Sequence, residues 1–280
     1  MTDKKVITIQ DISCFGQCSL TVALPIISAC GVETAILPSA VLSTHTGGFT
    51  GYTIRDLTED IPGIINHWEK ENLNFDCLYT GYLGSVTQID YVLDMSKRIL
   101  KDDGLLIVDP AMADNGSLYY GFDSKFVKNM ARLCAKADLI LPNITEAAFM
   151  TGSEVILTNH TEEYILELLH KLADMGVKKV ILKGIQYDTD KIGIAIFNAV
   201  DNSLQYYFTE KINKSSHGTG DCYAAAFTGA LMQGKTELEA ASIAADFVLE
   251  AIKKTIDDTS HNYGVKFEKA LPILVNTLNN

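Results

Sequence analysis

The strongest constraint on the fold is a repeated change of period. Short β-rich apolar runs alternate along the chain with longer stretches whose apolar residues recur at helical spacing. Strands are predicted at residues 6–10, 34–37, 77–80, 105–108, 139–141 and 180–183. Helices are predicted at 19–30, 61–71, 87–100, 124–135, in a short run after Asn143, and at 162–175, the last closed by Gly176. Such alternation implies a parallel sheet, because parallel neighbours need a crossover and the crossover helix packs back onto the sheet. Residues 192–197 and 204–208 read instead as an antiparallel pair around a 198–203 turn, and helices at 221–233, 236–253 and 265–278 finish the chain. Residues 41–52, with Gly47, Gly48 and Gly51, read as an irregular flap. No repeat, low-complexity tract or linker divides the chain, so a single domain over residues 1–280 is expected, and 47% hydrophobic content can supply its core.

The formal net charge of −12 argues against a general nucleic-acid binder, since phosphate backbones are held by fields of Lys and Arg. No apolar run is long enough for a membrane span and the first apolar run is too short for a signal peptide, which points to a cytoplasmic protein. The six cysteines are scattered without a Cys-x-x-Cys pair, so neither a disulfide framework nor a structural zinc site is indicated. Sequons at Asn143, Asn159 and Asn213 carry no weight without a secretory segment.

The most informative stretch is His217-Gly-Thr-Gly-Asp-Cys-Tyr and the small, apolar residues after it. Gly218 and Gly220 permit a sharp turn into a helix whose unpaired N–H groups attract an anion, phosphate above all. Asp221 at that spot is either a first-turn residue complementing the helix dipole or a base beside a phosphate site. A second cluster bears on the choice. Ligands of open α/β sheets bind outside the carboxyl ends of the strands, and there the sequence places Asp11, Gly81-Tyr82, Asp109, Asn143, Glu146 and Lys183. Singly, each has a structural reading: Asp109-Pro110 as a turn, Asn143-Ile-Thr-Glu146 as a capping box, Lys183 as a solvated strand end, Tyr82 as a core aromatic. Together, beside an anion site, they describe a pocket for a phosphate donor, with groups able to hold magnesium or its waters.

Two competing motifs fail on context. Residues 229–236 match the letters of a Walker A loop, but an apolar helical run precedes them where a strand is needed, and Gly234 reads better as a helix end. Gly218-x-Gly220 lacks the third glycine of a dinucleotide fingerprint, and no nucleophile elbow is present. The loop histidines His45 and His217 read as local hydrogen-bonding groups, with His217 able to touch a phosphate.

Gly218-Thr-Gly-Asp221, Asn143-x-x-Glu146 and Val108-Asp-Pro110 resemble the ribokinase-like superfamily of ATP-dependent small-molecule kinases. Gly81-Tyr-Leu-Gly-Ser85, Ser43-Thr-His-Thr-Gly47 and Ile9-Gln10 resemble its pyridoxal (pyridoxine, pyridoxamine) kinase branch. The resemblance runs from about Val6 to the last helix. It implies a three-layer α/β/α fold with a mostly parallel sheet, and phosphorylation of the 5′-hydroxymethyl group of a B6 vitamer. It further implies ATP and Mg2+ as cofactors, room for a monovalent cation, and a homodimer. By the same resemblance, Asp221 is the base, and the amides of Gly218, Thr219 and Gly220 cradle the transferred phosphoryl group. Asp109, Tyr119, Asn143 and Lys183 serve the nucleotide, Asp114, Asn143 and Glu146 the metal, and Thr46 and Tyr82 the pyridine ring. Relatives carry serine where this chain has Asp11, and a carboxylate there favours a protonated ring or an amine. A hydroxymethylpyrimidine kinase and a non-catalytic vitamer-binding protein are the rival readings.

Overall fold

The computed structural model describes residues 3–212 and 217–279. Its main sheet is built from β1 (Lys5–Ser13), β2 (Glu33–Leu42), β3 (Ile54–Asp56), β4 (Phe75–Thr80), β5 (Leu100–Val108), β8 (Leu139–Ile140), β9 (Lys179–Ile185), β10 (Lys191–Asn198) and β11 (Ser203–Glu210). A separate hairpin is formed by β6 (Ala113–Asp114) and β7 (Ser117–Leu118). The sheet order is β11-β10-β9-β8-β5-β4-β1-β2-β3. Neighbours from β2 across to β9 pair in parallel, while β3 and the β10–β11 pair are antiparallel.

Each central strand is apolar on both faces, as a sheet covered on both sides requires. Ile7, Ile9, Leu78, Leu106, Val108, Val180 and Leu182 pack into one core. That core is completed by side chains of α2 (Ile61–Lys70), α3 (Val86–Arg98), α4 (Ser124–Cys134), α5 (Ile144–Thr151) and α6 (Glu162–Asp174). The alternate residues Val6, Cys77, Tyr79, Ile107 and Ile181 face α1 (Leu20–Ala29), α7 (Thr219–Met232), α8 (Glu237–Lys253) and α9 (Leu271–Leu278). This is the three-layer ribokinase-like arrangement. The chain moves outward from β1 to β2 through α1 on one face, then returns to β4 through α2 on the other, so the direction of winding reverses beside β1. Such a switch opens a crevice at the carboxyl ends of the strands.

Several boundaries differ from the sequence reading. Val41 and Leu42 continue β2, because β3 pairs with them; a three-residue strand has too little period to be recognised. The helix expected to reach residue 100 ends at Arg98, and Leu100 already opens β5. The helix expected over 265–278 is a 3-10 turn at Phe267–Lys269 followed by α9, with Pro272 in its first turn. Lys183 does not end β9, which runs on to Ile185. The Walker-like letters span a helix end: Gly234 is left-handed (φ 86°) and Thr236 caps α8 in a capping box with Glu239. Asn213 and the rest of the loop directly before His217 lie outside the described residues.

Candidate active site

The crevice is assembled from strand ends and two helix N-termini. α7 begins after Gly218, which adopts a left-handed φ of 74°. A Cβ there would lie 1.7 Å from the Gln17 carbonyl oxygen, so only glycine lets this turn sit against the 14–19 loop. The same loop reaches the first turn of α7 a second time: the Ser19 backbone N–H donates to Asp221 Oδ2 at 2.8 Å. Ser19 itself has φ 55°, an uncommon conformation for a residue with a side chain, adopted where the loop turns into α1. Burial pushes the Asp221 carboxyl up to about 7; the Ser19 N–H opposes this, and Asp109 and Asp11 add to it.

Across the crevice, Asp109 at the end of β5 is buried and accepts from Lys183 Nζ at 3.0 Å. Lys183 also stands 4.0 Å from where a Cβ on Gly220 would be, so its ammonium lies beside the first turn of α7. At the head of α5, Asn143 Oδ1 accepts from Glu146 N at 2.9 Å and Glu146 Oε2 accepts from Asn143 N at 2.8 Å, closing the expected capping box. Glu146 Oε1 further accepts from Met112 N at 3.2 Å, and Asn143 Nδ2 donates to the Ala113 carbonyl at 2.9 Å. These two residues thus lock the β5–β6 connection onto α5. Burial, then the neighbouring Asp109, push the Glu146 carboxyl up to about 8, against the pull of Lys183.

Around this centre the remaining expected residues take distinct places. Asp114 is exposed at the β6–β7 turn and accepts from Asn115 N and Nδ2. Tyr119 follows β7, 41% exposed as a residue; burial of its phenol raises it, as do Glu146 and Asp221. Asp11 is 5% exposed at a bulge in β1, accepts from Ser13 Oγ at 2.9 Å, and is raised by burial. Tyr82 stacks on Phe122 at 5.6 Å, and Phe122 stacks on Phe126 at 3.8 Å. Burial and then Asp11 push the Tyr82 phenol up to about 12. Thr46 is exposed in the 43–51 loop, and the Gly47 next to it lies against the His217 ring.

Three residues went unrecognised in the sequence. Ser19 acts through its backbone N–H, which no residue type announces. Phe122 braces Tyr82 from forty residues away, and Met112 N anchors Glu146 through a main-chain donor. Among the described residues no group of three or more His, Cys, Asp or Glu is spaced to hold a metal ion directly.

A glycine-led helix N-terminus carrying a half-buried carboxylate, faced by a lysine–aspartate pair at a switch point, is the layout of a phosphoryl-transfer site. The profile of the phosphomethylpyrimidine kinase family matches residues 27–266. The chain belongs to that family. It is similar to a protein of Bacteroides thetaiotaomicron described as a phosphomethylpyrimidine kinase and crystallised with pyridoxal, at 37% identity, TM-score 0.92, covering 98% of this chain and 96% of that one. The pyridoxal kinase of Lactobacillus plantarum is 31% identical with TM-score 0.88, covering 98% and 97%. The pyridoxal kinase of Dictyostelium discoideum is 27% identical over 275 residues, covering 93% of this chain and 87% of its own. This family member is therefore a kinase of the pyridoxal kinase branch of the ribokinase-like superfamily.

Proposed function

We propose that the enzyme, acting as one domain over residues 1–280, transfers the γ-phosphoryl group of ATP to the 5′-hydroxymethyl group of a B6 vitamer. The observation that carries this reading is the Asp221 carboxylate, fixed by the Ser19 N–H at 2.8 Å at the first turn of a glycine-led helix. With its pKa pushed up to about 7, it is matched to accept the hydroxyl proton as the bond to phosphorus forms. The N–H groups of Gly218, Thr219 and Gly220 open towards the transferred oxygens, and Lys183 supplies positive charge. Tyr119, whose phenol is raised by burial and then by Glu146 and Asp221, borders the phosphates. Tyr82 and Thr46 frame the ring, and Asp11 selects its charge.

The donor set fits magnesium held through water. Among the described residues, Lys183 is the cation that acts on Asp109, Glu146 and Asp221 together, and a divalent cation would compensate the remaining negative charge. Asn143 and Glu146 are already engaged in the capping box, so they orient water, with Asp114 at the outer edge. The metal supplies neutralisation of phosphate charge; the chain supplies position and the base. The resemblance further supports a cytoplasmic homodimer, which light scattering on the purified chain tests.

An ADP-release assay over pyridoxal, pyridoxine, pyridoxamine, hydroxymethylpyrimidine and ribose tests the reading. Turnover is expected on the vitamers. Turnover on hydroxymethylpyrimidine without the vitamers would transfer the assignment to the pyrimidine substrate suggested by the family's description.

A further inference from the structure

Four segments distant in sequence meet at one imidazole. His45, 5% exposed, donates its backbone N–H to the Phe15 carbonyl at 3.1 Å. Its Nδ1 receives the Gly47 N–H at 3.1 Å, and its Nε2 lies 3.2 Å from the Tyr263 carbonyl. A backbone N–H only donates and a carbonyl only accepts, so the ring must be the neutral Nε2–H tautomer. Burial holds the imidazole below its ordinary value, consistent with that form. Neighbouring chain is shaped to the ring: a Cβ on Gly16 would lie 1.9 Å from it, the His217 ring is 5.3 Å away, and Phe49 packs edge-on at 5.1 Å.

The partners of His45 are the partners of the catalytic groups. The Tyr263 carbonyl that faces Nε2 also accepts from Gln17 N at 3.0 Å, and the Gln17 carbonyl is the atom that admits only glycine at position 218. Two residues later in the same loop, Ser19 holds Asp221. A chain of direct contacts therefore runs from the 43–51 flap through His45 to the base and the anion-binding turn.

We propose that His45 is a positioning residue that ties the 43–51 flap to the loop holding Asp221 and Gly218, so that closing the flap over the acceptor and aligning the base are one event. The kinetic arm of the test rests on the vitamer-kinase reading; the proteolytic arm needs no substrate. In the full-length protein without ligands, chymotryptic cleavage after the half-buried Phe49 reads the flap, and cleavage after Tyr120, 94% exposed, is the internal reference. In His45→Ala, cleavage after Phe49 is expected to rise about tenfold with the Tyr120 rate unchanged, the effect of losing two hydrogen bonds locally. With pyridoxal and MgATP, KM for pyridoxal should rise and kcat fall, each about tenfold, while KM for ATP stays within about twofold. His45→Asn, which keeps an acceptor near the place of Nδ1, should recover most of the flap protection and part of kcat. Acceleration at both cleavage sites together, or loss of protection without any change in pyridoxal kinetics, overturns the proposal. Wild-type protein inactive on pyridoxal overturns the substrate reading instead, and an unchanged Phe49 rate in His45→Ala then still overturns the tie.

Discussion

On the proposed mechanism, Asp221 should carry the largest functional consequence of any single residue. Asp221→Asn keeps the shape and the Ser19 contact but removes the proton acceptor, so kcat should fall by about 10²–10⁴ while ATP affinity, read by calorimetry, stays within about twofold. In the wild type, kcat/KM should decline tenfold per pH unit below about 7, where the carboxylate becomes protonated. On the same reading, Asp11 should set specificity at the same scale. A buried carboxylate whose hydrogen bonds come from neutral groups such as the Ser13 hydroxyl gains most from a cationic partner. Asp11→Ser should therefore lower kcat/KM for pyridoxamine at least about tenfold relative to pyridoxine, the scale of one charge-assisted hydrogen bond. An unchanged ranking of vitamers would remove Asp11 from recognition. Asp221 was legible as a carboxylate at a glycine-led helix start, which is where the structure has it. Ser19 was not, because its contribution is a main-chain donor set by a left-handed turn.

Among the elements, α5 and α7 do different work with similar ends. The α5 terminus spends its side chains on itself and on the β5–β6 connection, so Asn143 has a structural role whatever it does for the metal. Asn143→Ala removes the cap and the Ala113 anchor together, and should cost about 1–3 kcal/mol in denaturant unfolding. Binding MgATP should recover part of that loss. The α7 terminus has no side-chain cap and is opened by a left-handed glycine. Gly218→Ala meets the Gln17 carbonyl and a left-handed φ at once, so it should displace the 14–19 loop. Turnover would then be lost while the circular dichroism spectrum persists. Most helices were readable from their apolar spacing and closing glycines, as at Gly176 after α6. The short strands β3, β6 and β7 were not, because two or three residues carry no period and are fixed by tertiary pairing.

For the whole molecule, the sheet's two apolar faces were written in the strands themselves, but the strand order that brings β1, β4, β5, β8 and β9 to one rim was not. That rim concentrates acidic groups whose pKa values are raised, which gives the stability curve its shape. Burial pushes Asp221 and Glu146 up to about 7 and about 8 in the folded state, from ordinary values of 3.8 and 4.5. A folded pKa above the unfolded one means that the unfolded chain gives up its proton first. These groups therefore cost stability progressively as pH rises from about 4 and reach their full cost above about 8. Asp76 acts oppositely. Burial opposes its ionisation, but the Lys5 N–H and the Lys101 and Lys4 ammonium groups hold it at about 2, so its contribution is complete above its ordinary value and is lost on acidification towards pH 2. The melting temperature should thus be highest near pH 5 and decline by several degrees up to pH 8.5. The decline should be shallower in Asp221→Asn and Glu146→Gln, and flattened in wild type by MgATP, whose cation compensates the same carboxylates. A curve as steep in both variants as in wild type would mean that the alkaline loss arises from the −12 net charge of the surface, and high salt would then remove it.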